Sequence, residues 1–128
     1  MKYIILLIVS LFIFSIVQSQ TVWEVPKKYK TMVNPYKDKT DPSYISIGRY
    51  YWNKSCKSCH GTEGKGDGVR ASLLTVPIRD FSLQEFKLQT DGELYYKSII
   101  GHEKMPNFEK VIEAEEDRWL LINYIKTL

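Results

Sequence analysis

The chain has 128 residues, of which 44% are hydrophobic and 26% are charged, and it carries a formal net charge of +3. These values fit one small globular domain, and the low net charge is not the profile of a nucleic-acid-binding protein. Residues 20–60 hold eight Lys or Arg and three Asp or Glu. Residues 61–128 hold nine Lys or Arg and twelve Asp or Glu. The basic first part could guide docking to an acidic partner protein, and an ordinary solvated surface is the alternative.

The N-terminus has the pattern of a secretory signal peptide. Lys2 is a short positive region, residues 4–17 are apolar apart from two serines, and a polar stretch with a small residue follows. This apolar run is shorter than the roughly 20 residues that a membrane-spanning helix needs. We therefore expect residues 1–19 to be a signal peptide cleaved after Ser19, and the mature protein to be periplasmic or otherwise exported. An uncleaved membrane anchor is the alternative.

Residues 20–42 are predicted to form an extended arm. Pro26, Pro35 and Pro42 interrupt this segment, five lysines keep it polar, and no helical period is visible. Trp23 and Val25 are the residues expected to attach the arm to the globular body. Residues 43–128 are predicted to be the folded domain.

The first helix of that domain is predicted to begin near Asp41. Either Asp41 or Thr40 can cap it, and Pro42 suits the first helical position. Apolar residues at helical spacing continue to Trp52, so the helix would lead the chain into Cys56. The following residues 61–81 contain four of the seven glycines and are predicted to be mostly loop.

Two further helices are predicted in the second half of the chain. Thr90 and Glu93 form the sequence pattern of a capping box, and Gly101 is placed to end the helix that follows it. The last helix is predicted to begin within residues 113–117, where acidic side chains complement the helix dipole, and to present a wide apolar face up to Leu128. No strand pattern is convincing, so the sequence predicts an all-α fold.

The most specific motif is Cys56-Lys57-Ser58-Cys59-His60, which reads C-x-x-C-H. This is the pattern for covalent attachment of a c-type haem. Two intervening residues let both thiols form thioethers to the vinyl groups of one porphyrin, and the adjacent histidine becomes an axial ligand of the iron. The sequence therefore predicts one haem c, with Cys56 and Cys59 binding the porphyrin and His60 binding the iron.

Two other kinds of site share part of this motif. A thioredoxin-like redox pair uses C-x-x-C but needs a βαβ pattern around it, and none is visible. A zinc site usually needs four ligands, whereas the chain has two Cys and two His, three of which are crowded into the motif. Both alternatives fit the chain less well than haem attachment.

The second axial ligand of the iron is predicted to be Met105. It lies in a loop between two predicted helices and precedes Pro106, which stiffens the loop. A thioether opposite a histidine is an established haem ligation that raises the reduction potential. His102 is the main competitor, Met32 in the arm is a more distant one, and a methionine that only fills a gap in the core is the non-functional alternative.

These residues resemble the small monohaem class I cytochromes c of bacteria. The similar stretches cover most of residues 43–128, namely CKSCHGTEGKGDG at 56–68, PIRDF at 77–81, DGELYYKSIIG at 91–101, MPNF at 105–108 and DRWLLINYIKTL at 117–128. The resemblance implies three to four helices around one covalently bound haem, with the first and last helices crossing at right angles. It also implies that Gly48 and Tyr51 meet the last helix near Trp119 and Leu120, and that the Pro77 carbonyl accepts the Nδ1 proton of His60.

The resemblance implies an electron-transfer protein rather than an enzyme. Its haem would cycle between Fe(III) and Fe(II), taking electrons from a quinol-oxidising complex or dehydrogenase and passing them to an oxidase or reductase. A subunit of a larger oxidoreductase is the first alternative, and a haem enzyme or gas sensor with an open sixth site is the second. Four lysines near the motif or the Met105 loop are candidates for partner docking, namely Lys54, Lys57, Lys65 and Lys104.

Overall fold

The structure is a computed structural model that describes residues 23–102 and 104–128. Six α-helices occur in these ranges, namely α1 Lys27–Lys30, α2 Pro42–Tyr51, α3 Lys57–His60, α4 Gln84–Lys87, α5 Asp91–Tyr95 and α6 Glu115–Ile125. Two π-helical turns, Trp52–Cys56 and Tyr96–Ile100, extend α2 and α5, and Ala71–Leu73 is a 3-10 turn. The described residues contain no β-strand, only an isolated bridge between His102 and Met105. The predicted all-α class is therefore confirmed.

The predicted signal peptide, residues 1–19, lies outside the described residues. Among the helices that the structure does describe, none is both long enough and apolar enough to cross a membrane.

The segment that carries the haem motif is one continuous helical stretch. Asp41 is the N-cap of α2 and Pro42 occupies its first position, as predicted, but the Asp41 side chain makes no capping hydrogen bond. The π-helical turn Trp52–Cys56 joins α2 to α3, and α3 ends at His60, immediately before Gly61. The cysteine and histidine side chains are consequently carried on helical backbone rather than on a loop.

The predicted capping box of the second helix is present. The Thr90 hydroxyl accepts a hydrogen bond from the Glu93 backbone N–H at 3.2 Å, and the Glu93 carboxylate accepts one from the Thr90 N–H at 2.8 Å. Gly101 ends this helical segment with a φ of 73°, a left-handed conformation that glycine adopts without steric cost. The last helix, α6, begins at Glu115, inside the predicted range.

Residues 23–39, here called the N-terminal strap, differ in part from the predicted extended arm. They include the short helix α1, which is too brief to produce a periodic sequence pattern. Val25 is only 4% exposed and packs in the main core, in agreement with the anchoring role expected for it. The buried Asn34 side chain donates a hydrogen bond to Asn123 of α6 at 2.8 Å, so the strap is a packed part of the fold.

The core of the molecule forms where α2 meets α6, the most extensive contact between two elements. Most of α6 is buried, including Trp119, Leu120 and Ile122, each at most 1% exposed. Gly48 of α2 lies against the Leu120 backbone, so the close approach predicted for these two residues is confirmed. Tyr51, one turn further along, donates a hydrogen bond to Asp117 at 2.8 Å, which places it at the start of the same helix.

Candidate haem-binding site

The two cysteines of the motif are free thiols in different surroundings. Cys56 ends the π-helical turn and is 4% exposed, whereas Cys59 lies in α3 and is half-buried. Burial, with a smaller contribution from the neighbouring Cys59, raises the pKa of Cys56 to about 12. Because cysteines that carry out thiol–disulfide exchange have lowered pKa values, this environment argues against a thioredoxin-like redox pair.

His60 is held among aromatic rings. Its ring centroid lies 5.0 Å from that of Phe81 and 5.9 Å from that of Trp52, and Trp52 and Phe81 also contact each other. Burial lowers the pKa of His60 to about 4, so the imidazole is neutral at pH 7. A neutral imidazole has a ring nitrogen lone pair free for a metal ion, which a protonated one lacks.

The predicted hydrogen bond from His60 to the Pro77 carbonyl is not formed. The Nδ1 atom of His60 is buried and has no hydrogen-bond partner among the described residues, and Pro77 is exposed. The contact between the His60 ring and the Phe81 ring, four residues after Pro77, supplies packing in place of that polar bond. The prediction about Pro77 is therefore wrong for this structure.

The donor atoms of the motif fit a haem better than a bare metal ion. Within residues 23–102 and 104–128, no three His, Cys, Asp or Glu side chains are arranged to hold a metal ion, whereas a structural zinc needs four ligands. Haem c needs fewer metal ligands from the protein, because the porphyrin supplies four of the iron ligands. Two free thiols and a shielded neutral imidazole, all within one helical turn, meet its requirements.

The loop after the motif closes on the end of α3. The backbone N–H groups of Gly66, Gly68 and Arg70 donate hydrogen bonds to the carbonyls of His60, Cys59 and Ser58, at 2.9, 3.1 and 2.8 Å. A Cβ atom at position 68 would lie 2.5 Å from the Ser58 carbonyl oxygen, so only glycine allows this approach. These bonds satisfy carbonyls that helix ends leave unpaired, and they hold the motif in one conformation.

Met105 lies in a separate segment, the loop between the second π-helical turn and α6. Its backbone pairs with that of His102 through two hydrogen bonds, both of 3.0 Å, and its side chain is half-buried. This backbone pairing of His102 with Met105 is here called the ligand hairpin. The Phe108 N–H donates to the Ile99 carbonyl at 2.8 Å, which joins the chain after the hairpin to the helix before it.

The two competing ligands occupy different places. His102 is exposed, and its ring packs against the Trp23 ring of the strap, with centroids 5.4 Å apart. Met32 is half-buried and packs against the main core beside α5. A Cβ atom built at Gly92 of α5 would lie 2.9 Å from the Cβ of Met32. A core position gives Met32 the gap-filling role that methionine commonly has.

Sequence reasoning missed Arg118, which supports the chain between Met105 and α6. Its guanidinium donates hydrogen bonds to the Tyr95 hydroxyl at 3.2 Å and the Glu113 carbonyl at 2.9 Å, and lies 3.7 Å from the Glu109 carboxylate. No spacing or motif points to these partners, because Tyr95 is distant in the sequence and Glu109 and Glu113 lie in the loop before α6.

The helical fold and this motif define a c-type cytochrome domain. The comparison with protein families agrees, because the profile described as cytochrome c oxidase, cbb3-type, subunit III matches residues 45–125. The match covers more than half of the chain, and the chain therefore belongs to this family of monohaem cytochromes c. Its cofactor is a covalently bound haem c with iron, and it is a haem-c electron carrier. The comparison with curated proteins found no match.

Proposed function

We propose that the protein is an exported one-electron carrier whose haem is attached through Cys56 and Cys59 and ligated by His60 and Met105. The observation that carries this proposal is the placement of two free thiols and a half-buried neutral imidazole on one helical turn. When bound, haem c supplies an iron that accepts and releases one electron. The cysteines hold the porphyrin, and the rings of Trp52 and Phe81 shield His60 from water.

Met105 is the preferred sixth ligand because its competitors are held elsewhere. His102 packs on Trp23 at the surface, and Met32 packs against the core beside α5. Ligation of the iron by both His60 and Met105 would suit electron transfer, since it would leave no coordination position for a substrate or gas. For this reason the carrier function is preferred to a haem enzyme or gas sensor.

The segment after the motif offers apolar surface that a haem and a partner protein can cover. Five large apolar side chains in residues 69–88 are at least 40% exposed, namely Val69, Leu73, Val76, Leu83 and Leu88. These are the candidates for contact with the haem or with a partner. All four candidate docking lysines are exposed, and the charge of Lys65 is paired with that of Glu63 at 2.7 Å. Lys54, Lys57 and Lys104 are therefore the better candidates for contacting an acidic donor or acceptor.

The haem assignment is tested by the absorption spectrum of the exported protein, followed by acid–acetone extraction and a pyridine haemochrome assay. Haem that stays with the protein and gives a c-type spectrum supports thioether attachment, and Cys56→Ser or Cys59→Ser should leave one thioether. Extractable haem, or no haem, contradicts the proposal. The same preparation gives the N-terminus by mass spectrometry, which is expected to be Gln20.

The sixth ligand is tested by the sulfur-to-iron charge-transfer band of the ferric protein. Met105→Ala should abolish this band and let the ferrous protein bind carbon monoxide, whereas His102→Ala and Met32→Ala should preserve the band. Covalent haem without this band in the unmodified protein would transfer the ligand role to His102 or leave the sixth site open. Carbon monoxide binding to the unmodified ferrous protein would favour a haem enzyme or sensor instead.

A second candidate function follows from the family description, which names a subunit of an oxidase. In that case the protein would be a fixed haem-c subunit of a larger oxidoreductase rather than a diffusing carrier. Purification under mild conditions separates the two. A stoichiometric partner that stays bound at about 0.15 M salt supports the subunit, and a monomeric cytochrome that exchanges electrons with added partners supports the carrier.

A further inference from the structure

The N-terminal strap is fixed to the domain at several points. Tyr29 of α1 is 9% exposed, and its ring centroid lies 4.8 Å from that of Tyr96, next to α5. Further along, Asn34 bonds to Asn123 of α6, and Asn123 in turn donates to the Tyr36 carbonyl at 2.8 Å. A segment held in this way can transmit a positional constraint to whatever contacts its end at Trp23.

That end contacts the ligand hairpin. Val25, with 4% exposure, fixes the beginning of the strap, and Trp23 two residues earlier lays its half-buried indole against the His102 ring. His102 is joined to Met105 by the two backbone hydrogen bonds of the hairpin. Two direct contacts therefore connect Trp23, which lies two residues before the buried Val25, to His102 and His102 to the backbone of Met105.

We propose that Trp23 is a positioning residue for the haem ligand Met105, acting through His102. This inference rests on the proposed ligation of iron by Met105. A flexible hairpin has many conformations in which the thioether is away from the iron, and the packed indole reduces their number. The strap lies outside residues 45–125, the part of the chain that matches the family.

The expected consequence is easier displacement of Met105 when the indole is removed. A packed aromatic pair contributes enough to change an equilibrium about twofold to tenfold. Imidazole competes with the thioether for ferric iron, so its apparent affinity reports how firmly Met105 is held. His60, which would be the other ligand of the iron, packs against Trp52 and Phe81, and its role should be unaffected.

The experiment is an imidazole titration of the haem-loaded ferric protein, followed through the sulfur-to-iron band. Trp23→Ala is expected to bind imidazole about twofold to tenfold more tightly than the unmodified protein. Trp23→Phe keeps an aromatic ring, so its imidazole affinity should be close to that of the unmodified protein. Val33→Ala is the matched control, because Val33 lies in the same strap and is 73% exposed. Thermal unfolding of each variant checks that the fold is intact.

A double-mutant cycle assigns the effect to the contact. His102→Ala should raise the imidazole affinity by a similar factor, and adding Trp23→Ala to it should have little further effect. Equal affinities in the unmodified protein and Trp23→Ala would overturn this inference but leave Met105 as the ligand. An equal change in Val33→Ala would overturn it as well, since general loosening of the strap would then be the cause. Absence of the band from the unmodified protein would overturn both Met105 ligation and this inference.

Discussion

Gly48 of α2 and Leu120 of α6 are in direct backbone contact. A Cβ atom built at position 48 would overlap the Leu120 carbonyl oxygen and lie 2.6 Å from the Cβ of Tyr124. Backbone of a buried helix cannot move aside as a flexible side chain can. This contact therefore sets the separation of the two helices that form the core.

We expect Gly48→Ala to destabilise the protein by about 2–3 kcal/mol, the upper part of the range for overpacked sites. The gain in helix propensity, roughly 1 kcal/mol, is included in this net value. Denaturant unfolding of the haem-loaded protein measures it, with Arg49→Ala as the control because Arg49 is exposed on the same helix. A Gly48→Ala variant as stable as Arg49→Ala would show that the two helices can separate at little cost.

The amide pair Asn34 and Asn123 connects the strap to α6. Asn34 is 2% exposed and Asn123 8%, and their side chains share a hydrogen bond of 2.8 Å. Asn123→Ala is expected to cost about 2–3 kcal/mol, because it leaves buried polar atoms without partners. The double variant, with both Asn34 and Asn123 replaced by alanine, should lose less stability than the two single variants together, by at least about 0.5 kcal/mol. The measurement is the free energy of unfolding, and Asn53→Ala is the control because Asn53 is exposed. Additive losses of stability in the double variant would mean that Asn34 and Asn123 are not coupled.

Tyr51 and Asp117 make the fold sensitive to alkaline pH. The hydrogen bond to Asp117, with burial as the next cause, raises the pKa of Tyr51 to about 12 from its ordinary 10.0. Between pH 10 and 12 the unfolded chain therefore loses this proton before the folded one does, and the free energy of unfolding falls as the pH rises.

Tyr51→Phe should accordingly lower the stability by about 1 kcal/mol at pH 7, a value reduced for the partial exposure of the pair. The difference from the unmodified protein should shrink between pH 10 and 12 and disappear near pH 12. Denaturant unfolding at several pH values measures this, and Tyr50→Phe is the control because Tyr50 is 56% exposed and adjacent. A constant difference across this pH range would show that the hydroxyl acts through packing and not through its proton.

The capping box of α5 gives a prediction about a local interaction. Thr90→Ala removes the hydroxyl that accepts from the Glu93 N–H, and we expect a loss of about 1 kcal/mol. Thr90→Ser keeps the oxygen and should retain most of the stability. Thr62→Ala, at an exposed loop position, is the control for losing a threonine in thermal or denaturant unfolding. If Thr90→Ser is destabilised as much as Thr90→Ala, the stabilisation comes from the methyl group of Thr90 rather than from the hydrogen bond.

Features that depend on neighbours in the sequence were predictable. The Thr90–Glu93 box, the proline at the start of α2 and the glycine after Ile100 all act within a few residues, so residue type and spacing specify them. The C-x-x-C-H motif belongs to the same group, since its chemistry is contained in five consecutive residues. These local signals were enough to predict an all-α fold and a haem c.

Features that bring distant residues together were decided by the tertiary structure. The strap was predicted to be an extended arm, yet it is packed, because Asn34 and Asn123 find each other across 89 positions of the sequence. Arg118 reaches three partners for which no motif exists, and the His60 ring packs on Phe81 where a bond to Pro77 was predicted. The contact of Trp23 with His102 is of the same kind. Sequence patterns record which residues can cap a helix or bind a haem, but only the packed chain determines which side chains support the loop that carries Met105, because those contacts join elements far apart in the sequence.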